Sequence, residues 1–357
     1  MKCIKCNTDS KYSERSSGSC PKCSHRFAFE PKSGDVFTDP AFAAAIDRVS
    51  AHDAVRFTEG NLYYELARTK RSKTGAKVVG IVIGCVIAFI GCFIAEKMES
   101  IGVLVVAFLL GAAAIALGLL AKPSATPAFT TSTFDSLLAK WKKAHGTPPK
   151  LVQRVAESRP RAKPLPQELA TYSFDRAVIC DRPETVDLLL ANNFHFENNC
   201  AILAVNRYPT AVFEPVLEML RRNPKIEVFA LHDASIDGHQ LAKVLATSPE
   251  WFRGIGRVTD VGILVRHAAK MRGLWQETFT TRKAAFADLS AEENAWLSRY
   301  VLELAAIRPE QIIKRLFRAM TQPGQQVTTD DGGIYFIGGS FGGSDAGTSD
   351  GGGDSFG

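Results

Sequence analysis

Two long apolar runs constrain this chain more strongly than any other feature of its sequence. Residues 78–95 contain no charged side chain, residues 101–121 contain none either, and residues 96–100 between them suffice only for a short turn. A helix needs about 20 apolar residues to cross a bilayer. The runs therefore predict a two-helix transmembrane hairpin over residues 78–121, and the alternative is a helical hairpin buried inside a globular core.

Lysine and arginine are concentrated outside the two runs. The basic residues are Arg68, Lys70, Arg71, Lys73 and Lys77 before the first run, and Lys122, Lys140, Lys142 and Lys143 after the second. The positive-inside rule places such flanks in the cytoplasm. This pattern predicts an integral membrane protein of a bacterial-type inner (cytoplasmic) membrane, with both termini cytoplasmic and the lipid bilayer as a partner.

Small residues recur at four-residue steps within both runs. They are Gly80 and Gly84 in the first run, and Ala107 and Gly111 in the second. Because small side chains let two helix backbones approach closely, we expect the two helices to pack tightly against each other.

Four of the eight cysteines form two CxxC pairs near the N-terminus. Cys3 and Cys6 are followed, after thirteen mostly polar residues, by Cys20 and Cys23. Zinc in closed structural sites is held by four thiolates at such spacing. The first apolar run begins too late for a secretory signal, which favours a metal over disulfides. We therefore predict a four-cysteine zinc ribbon over residues 1–30 with structural Zn²⁺, and the alternative is a redox-active CxxC pair.

Residues 36–73 predict a small helical, winged-helix-like module between the ribbon and the first apolar run. An N-cap residue followed by proline begins one helix, residues 54–58 alternate like a short strand, and residues 61–71 predict a second helix. Residues 1–77 hold fourteen basic and nine acidic side chains, which account for most of the net charge of +6. Positive-inside topology explains this excess, and contact with a nucleic-acid backbone is the alternative.

After a proline-rich linker at 122–170, with one helix at about 133–145, short apolar runs alternate with helical segments. The runs are residues 177–180, 200–205 and 226–231, and the helical segments are 183–192, 210–222 and 238–246. Such alternation is typical of a parallel sheet covered by helices. We predict a Rossmann-like cytoplasmic α/β domain over residues 171–320, in which 258–270 and 291–319 are mainly helical.

Acidic residues follow two of the predicted strands. Asp181 comes directly after the first apolar run, and Asp233 follows the third. Functional groups gather at the carboxyl ends of parallel strands, and carboxylate oxygens are ligands that Mg²⁺ prefers. The two aspartates are therefore candidate Mg²⁺ ligands and candidate catalytic residues. The alternative is that they cap the helices that follow.

The spacing of Asp233, Ser235 and Gly238 after an apolar strand resembles the D-x-D-x-x-G element of Toprim domains. Asp181 stands where that family has its acidic general acid/base, usually Glu. Independently, residues 57–64 are similar to the Tyr-Tyr segment of the DNA-binding domain in topoisomerase VI A-type proteins. The two matches occur in the family's order along the chain.

This resemblance implies a degenerate, non-catalytic relative of the family. Ser235 stands in place of the family's second metal-binding Asp, and Asp181 stands in place of its Glu. Under the resemblance, Tyr63 or Tyr64 would match the nucleophilic tyrosine, and Asp181 with Asp233 would be the remnant of the Mg²⁺ site. The alternative for both tyrosines is packing in a core or interface.

Glycine, serine and aspartate dominate the C-terminal residues 321–357, which predicts a disordered tail. Its spaced aromatic residues are candidate contact points for a partner. They are Tyr335, Phe336, Phe341 and Phe356. A linker-like end without a function of its own is the alternative.

Two functions are consistent with these features. The first is a membrane-anchored, non-enzymatic scaffold or sensor that binds macromolecular partners, with proteins as the main class and nucleic acid as the second. The other is a membrane-tethered, Mg²⁺-dependent Toprim-like enzyme acting on nucleic acid or phosphoesters through Asp181 and Asp233. A closed four-thiolate site leaves no open position for a substrate, which favours the first.

Overall fold

The computed structural model describes residues 1–15, 17–70, 75–98, 101–120, 124–152, 174–254, 257–278 and 280–321. Nearly all of the predicted disordered tail lies outside the described residues. So do residues 122–123 and 153–170 of the predicted linker, and residues 171–173 of the predicted α/β domain. A four-stranded parallel sheet with helices lies at the centre of the described chain. The predicted α/β architecture is thereby confirmed.

Three helices of the N-terminal half pack together as one layer. They are α1 (Asp39–Val49), α2 (Glu59–Lys70) and α5 (Thr131–His145). The ring of Phe42 on α1 stacks on Trp141 of α5 with centroids 4.7 Å apart, and Phe29 packs against Phe42 at 5.1 Å. These aromatic contacts attach the cysteine-containing N-terminus to the helical layer, because Phe29 directly follows it in sequence.

Between α2 and α5 the chain forms a hairpin of two apolar helices, α3 (Gly75–Met98) and α4 (Ile101–Leu120). Small residues line their contact. A Cβ atom added at Gly84 would lie 2.7 Å from the carbonyl oxygen of Gly111, and one added at Gly91 would lie 1.9 Å from the Cβ of Ala107. The predicted close approach of the two helices is therefore confirmed for the residues that the structure describes.

The predicted membrane crossing is contradicted. Within the described parts of the chain, no helix is both long enough and apolar enough to span a bilayer. The predictions of a transmembrane hairpin and of an integral membrane protein are corrected accordingly.

The strands of the central sheet all run parallel, in the order β2-β1-β3-β4. They are β1 (Arg176–Cys180), β2 (Cys200–Ala204), β3 (Glu227–Leu231) and β4 (Arg257–Asp260). Almost every residue of β1, β2 and β3 is buried, as expected for parallel strands between two layers. The direction of winding reverses next to β1, so the crevice between the carboxyl ends of β1 and β3 is where folds of this type bind ligands.

Helices connect the strands of the sheet. They are α6 (Pro183–Ala191), α7 (Phe194–Glu197), α8 (Phe213–Arg222) and α9 (Ile236–Thr247). After the last strand of the sheet come α10 (Val265–Ala268), α11 (Ala291–Leu297) and α12 (Pro309–Thr321). Alternate strand residues belong to two separate cores. Ile179 faces the core formed with α8 and α9, whereas Val178 faces a core that continues through α6 and α12 into the N-terminal layer.

Three local predictions differ from the structure. The segment 258–270 begins as strand β4, because its register beside β3 overrides the helical pattern of the sequence. Within 291–319, the chain leaves α11 as the short strand β6 (Tyr300–Val301), which pairs with β5 (Gln276–Glu277). The predicted strand at 54–58 is reduced to a single parallel bridge between Phe57 and Leu151.

Candidate metal centre and strand-end cluster

Two knuckles of the same shape carry the four N-terminal cysteines. The backbone N–H of Asn7 donates to the Cys3 carbonyl at 2.9 Å, and Ser24 donates to the Cys20 carbonyl at the same distance. Asn7 and Ser24 have φ values of 56° and 55°, a left-handed conformation that reverses the chain directly after each CxxC pair. These turns bring the two thiols of each pair close together.

The four thiols form one cluster. The Sγ atoms of Cys3 and Cys23 lie 3.7 Å apart, those of Cys6 and Cys20 lie 3.6 Å apart, and all four lie within 4.8 Å of one another. Zinc at about 2.3 Å from each sulfur in a tetrahedron would hold the sulfurs roughly 3.8 Å apart. The cluster could therefore hold a metal ion of this kind, and no other such group of three or more ligands occurs among the described residues.

The environment lowers the pKa of one thiol and raises that of another. The Cys6 thiol lies 3.3 Å from the Thr8 hydroxyl, and hydrogen bonding to Thr8 lowers the pKa of Cys6 to about 6. A backbone hydrogen bond from His25 lowers the pKa of Cys23, but burial and the hydrogen bonds with the three other thiols outweigh it and raise that pKa to about 12. Cys3 and Cys20 are buried, whereas Cys6 and Cys23 are partly exposed. A thiolate at neutral pH is the form that binds a metal.

A buried polar contact anchors the second knuckle to the helical layer. Asp39, the first residue of α1, accepts hydrogen bonds from the backbone N–H groups of Ala28 and Phe29, and lies 2.7 Å from Nε2 of His145. The ring of His145 stacks on His25 with centroids 4.9 Å apart. His25 is not part of the cysteine cluster, so its role is packing against α5.

The structure brings the two candidate aspartates together at the crevice between β1 and β3. One Asp181 carboxylate oxygen accepts a hydrogen bond of 2.7 Å from the backbone N–H of Asp233. Asp233 is 1% exposed, and its own oxygens accept from the Leu304 N–H at 2.6 Å and from the Arg182 guanidinium. Burial and the neighbouring Asp181 raise the pKa of Asp233 to about 7.

A chain of polar contacts extends from these aspartates to α2. The Arg182 guanidinium pairs with Asp233 and lies 3.2 Å from a Glu303 carboxylate oxygen. The other oxygen of Glu303 accepts a hydrogen bond of 3.2 Å from the Tyr64 hydroxyl. Tyr64 and the two aspartates, predicted separately, thus belong to one network whose centre is an ion pair.

A magnesium ion does not fit this cluster. Mg²⁺ keeps several water molecules and needs nearly ideal octahedral geometry, but Asp233 is buried and both its oxygens already have donors. Arg182 supplies the positive charge that a cation would otherwise bring between Asp233 and Glu303. Mg²⁺ is therefore without support in the described site.

The two tyrosines are both inside the protein. Tyr63 donates from its hydroxyl to the Phe129 carbonyl at 3.0 Å, and Tyr64 is fully buried beside Glu303. Burial raises the pKa of both phenols. A catalytic role for either tyrosine stays a prediction, and this environment matches packing between α2 and its neighbours.

A buried histidine ends β3 next to the aspartates. Nδ1 of His232 lies 2.7 Å from the Asp233 carbonyl, and Nε2 lies 2.9 Å from a carboxylate oxygen of Asp260 at the end of β4. Both partners are acceptors, so both ring nitrogens donate and the imidazole is positively charged. Burial lowers the pKa of His232, but the hydrogen bonds that the ring donates to Asp260 and to the Asp233 carbonyl, with the nearby charges of Asp260 and Asp181, together outweigh burial, so the net shift is upward.

These shifts predict that stability falls as pH rises above neutrality. His232 has a folded pKa above its unfolded value, so its contribution is fully present below about pH 6.5 and is lost as pH rises through the folded pKa. Asp233 acts in the same direction, because its folded pKa of about 7 lies above its unfolded value of about 4, so its contribution is lost as pH rises through about 7. We expect the free energy of unfolding to fall by on the order of 1–2 kcal/mol between pH 6 and pH 9.

Urea unfolding at the two pH values measures this change. His232→Gln should reduce the pH dependence, whereas His239→Gln, which alters a histidine paired with the exposed Asp288, should leave it unchanged. A free energy of unfolding that rises between pH 6 and pH 9 would contradict the assignment.

Several residues of this cluster were not predicted from the sequence. Arg182 lies between a predicted strand and the predicted helix that follows it, and Glu303 and Asp260 lie in segments predicted to be helical. One available signal was the run Asp260-Val-Gly262, because a Cβ atom at Gly262 would lie 2.4 Å from the His232 ring. A glycine directly after an acidic strand end is a mark of close packing at that edge.

Neither a protein-family model, nor a curated protein, nor a solved structure matches this chain. The resemblance to Toprim domains and to topoisomerase VI A-type proteins stays a prediction. Function is therefore argued from the geometry of the two clusters alone.

Proposed function

We propose that this protein is a non-enzymatic scaffold whose N-terminal unit is a structural zinc ribbon that binds macromolecular partners. The observation that carries the proposal is the set of four cysteine sulfurs within 4.8 Å of one another. Four thiolates complete the tetrahedral shell of zinc, so the ion would have no position left for a substrate or an activated water. Such an ion stabilises a fold and does not catalyse a reaction.

The strand-end cluster supports a structural role as well. Most of its carboxylate oxygens accept from internal donors: one Asp181 oxygen from the Asp233 backbone, Asp233 from Leu304, and Glu303 from Arg182 and Tyr64. The other Asp181 oxygen is buried without a hydrogen-bond partner in the part of the chain that the structure describes. A general acid or base needs to reach a substrate proton within hydrogen-bonding distance. Groups that hold the chain's own segments together favour a rigid platform over an active site.

The ribbon offers a surface that suits an acidic partner. Lys5 and Lys22 occupy equivalent positions in the two knuckles, and both are exposed. Tyr12 is also exposed, with the Lys32 ammonium 5.2 Å from its ring centroid. Exposed cations around an aromatic side chain favour partners that carry carboxylates on their surface.

Native mass spectrometry and quantitative affinity capture test the proposal on the full chain. We expect one zinc ion per chain, and we expect the captured partners to be lost from the double variant Lys5→Glu, Lys22→Glu. The control is Lys243→Glu, Lys283→Glu, which makes the same change of charge at exposed positions far along the chain. A chain purified without a bound metal, or equal loss of partners in both variants, would overturn the proposal.

A further inference from the structure

The outer surface of the helical hairpin is apolar and open. Phe89 on α3 is 76% exposed and Leu109 on α4 is 66% exposed, and the large apolar side chains around them are about half exposed. Contiguous apolar patches larger than a few hundred Å² are rare on monomeric proteins and mark interaction sites. A groove between the two helices indicates where such a partner would bind.

This groove is lined by both helices and carries no polar side chain. It has a volume of about 570 Å³ and is bounded by Ile87, Ile90, Ile94 and Gly91 of α3 and by Val106 and Leu110 of α4. With Ile83, the isoleucines of α3 recur at steps of four, three and four residues. That spacing is the heptad repeat of residues that insert between neighbouring helices in a bundle.

The identity of these residues points to a bundle of more than two helices. Isoleucine at both core positions of a heptad favours three- and four-stranded assemblies over two-stranded ones. The hairpin already supplies two helices, held together by the glycine contacts at Gly84 and Gly91. A second hairpin placed groove to groove would complete four helices around one apolar core.

We propose that two copies of this chain associate through the hairpin groove to form a four-helix bundle. The groove is self-complementary, because the isoleucine stripe of one copy meets the same stripe of the other across a two-fold axis. Its lining residues present no charge and no hydrogen-bonding side chain that would select a different partner. Two such grooves would bury on the order of 1,000 Å² in total, which is near the lower limit for a specific interface.

Neighbouring residues on α3 provide a sharp test. Ile90 lines the groove and is 51% exposed, whereas Phe89 lies outside the groove and is more exposed. If the chains associated through any exposed apolar surface without specificity, a substitution at the more exposed Phe89 would weaken their association more. A symmetric contact through the groove instead requires that a substitution at Ile90 weaken the dimer more than the same substitution at Phe89.

The experiment measures the mass of the full chain by sedimentation in density-matched micelles of a non-ionic detergent, which cover apolar surface without specificity. We expect a two-chain mass for the wild type and for Phe89→Asp, and a one-chain mass for Ile90→Asp. The milder Ile90→Ala should raise the dissociation constant of the dimer by about tenfold or more, and Phe89→Ala by less than about threefold. A one-chain wild type, or equal effects at the two positions, would overturn the proposal.

Discussion

Replacing Cys20 with serine should remove the metal from the N-terminal cluster and unfold residues 1–27, while the rest of the chain stays folded. The segment has almost no apolar core of its own, so metal binding supplies its folding free energy, for which structural zinc provides about 10–16 kcal/mol in small domains. The boundary is expected at Ala28, because its N–H and that of Phe29 are held by Asp39 on α1 and not by the metal.

Hydrogen exchange followed by mass spectrometry reports this change directly. In the metal-bound wild type, the N–H groups of Asn7 and Ser24 should be protected by their bonds to Cys3 and Cys20, and Cys20→Ser should abolish that protection. Cys85→Ser is the control, since Cys85 is exposed on α3 and touches no part of the cluster. Undiminished protection of the two knuckles in Cys20→Ser would refute a metal-dependent ribbon.

Replacing Glu65 with alanine should destabilise the whole folded unit by about 3–5 kcal/mol. Glu65 is 1% exposed and its carboxylate pairs with Arg48 at 2.7 Å, Arg308 at 3.0 Å and Arg68 at 3.2 Å. These arginines come from α1, α2 and the segment before α12, so the carboxylate joins distant parts of the chain. Its removal leaves several cations close together without a counter-charge.

The matched comparison is Glu59→Ala on the same helix. Glu59 pairs with Lys142 at 2.9 Å, but both side chains are at least one-third exposed, and pairs of this kind contribute about 0–1 kcal/mol. Denaturant unfolding of the two variants should therefore give very different midpoints. Similar losses in both would show that the buried cluster contributes no more than a surface ion pair.

Several elements were predictable because their signals are local. The two CxxC pairs predicted the four-cysteine cluster from spacing alone. The alternation of apolar runs with helical segments located β1, β2 and β3 to within a residue or two. The strand-end positions of Asp181 and Asp233 also followed from that alternation, since parallel strands align their carboxyl ends. The groups that those aspartates contact could not be predicted, because some of them, such as Leu304, are remote in sequence.

The transmembrane prediction was wrong. It rested on the number of apolar residues along the sequence, whereas a crossing requires one helix that is both long enough and apolar enough. Within the described chain no helix meets both requirements for crossing a bilayer. Sequence did identify the small residues that let α3 and α4 pack, and the contacts at Gly84 and Gly111 agree with it. The spacing of small residues therefore predicted that the two helices would pack together. What surrounds the pair could be learned only from the structure.

The sequence by itself determined the strands β1, β2 and β3, which four sulfurs converge, and that Asp181 and Asp233 follow strand ends, because each of these depends on short-range spacing. Only the tertiary structure decided that Asp233 is neutralised by Arg182, that Tyr64 is buried beside Glu303, and that Glu65 collects three arginines. Those pairings join residues as many as 243 positions apart. Their strength depends on burial, which the folded chain creates and no local pattern specifies.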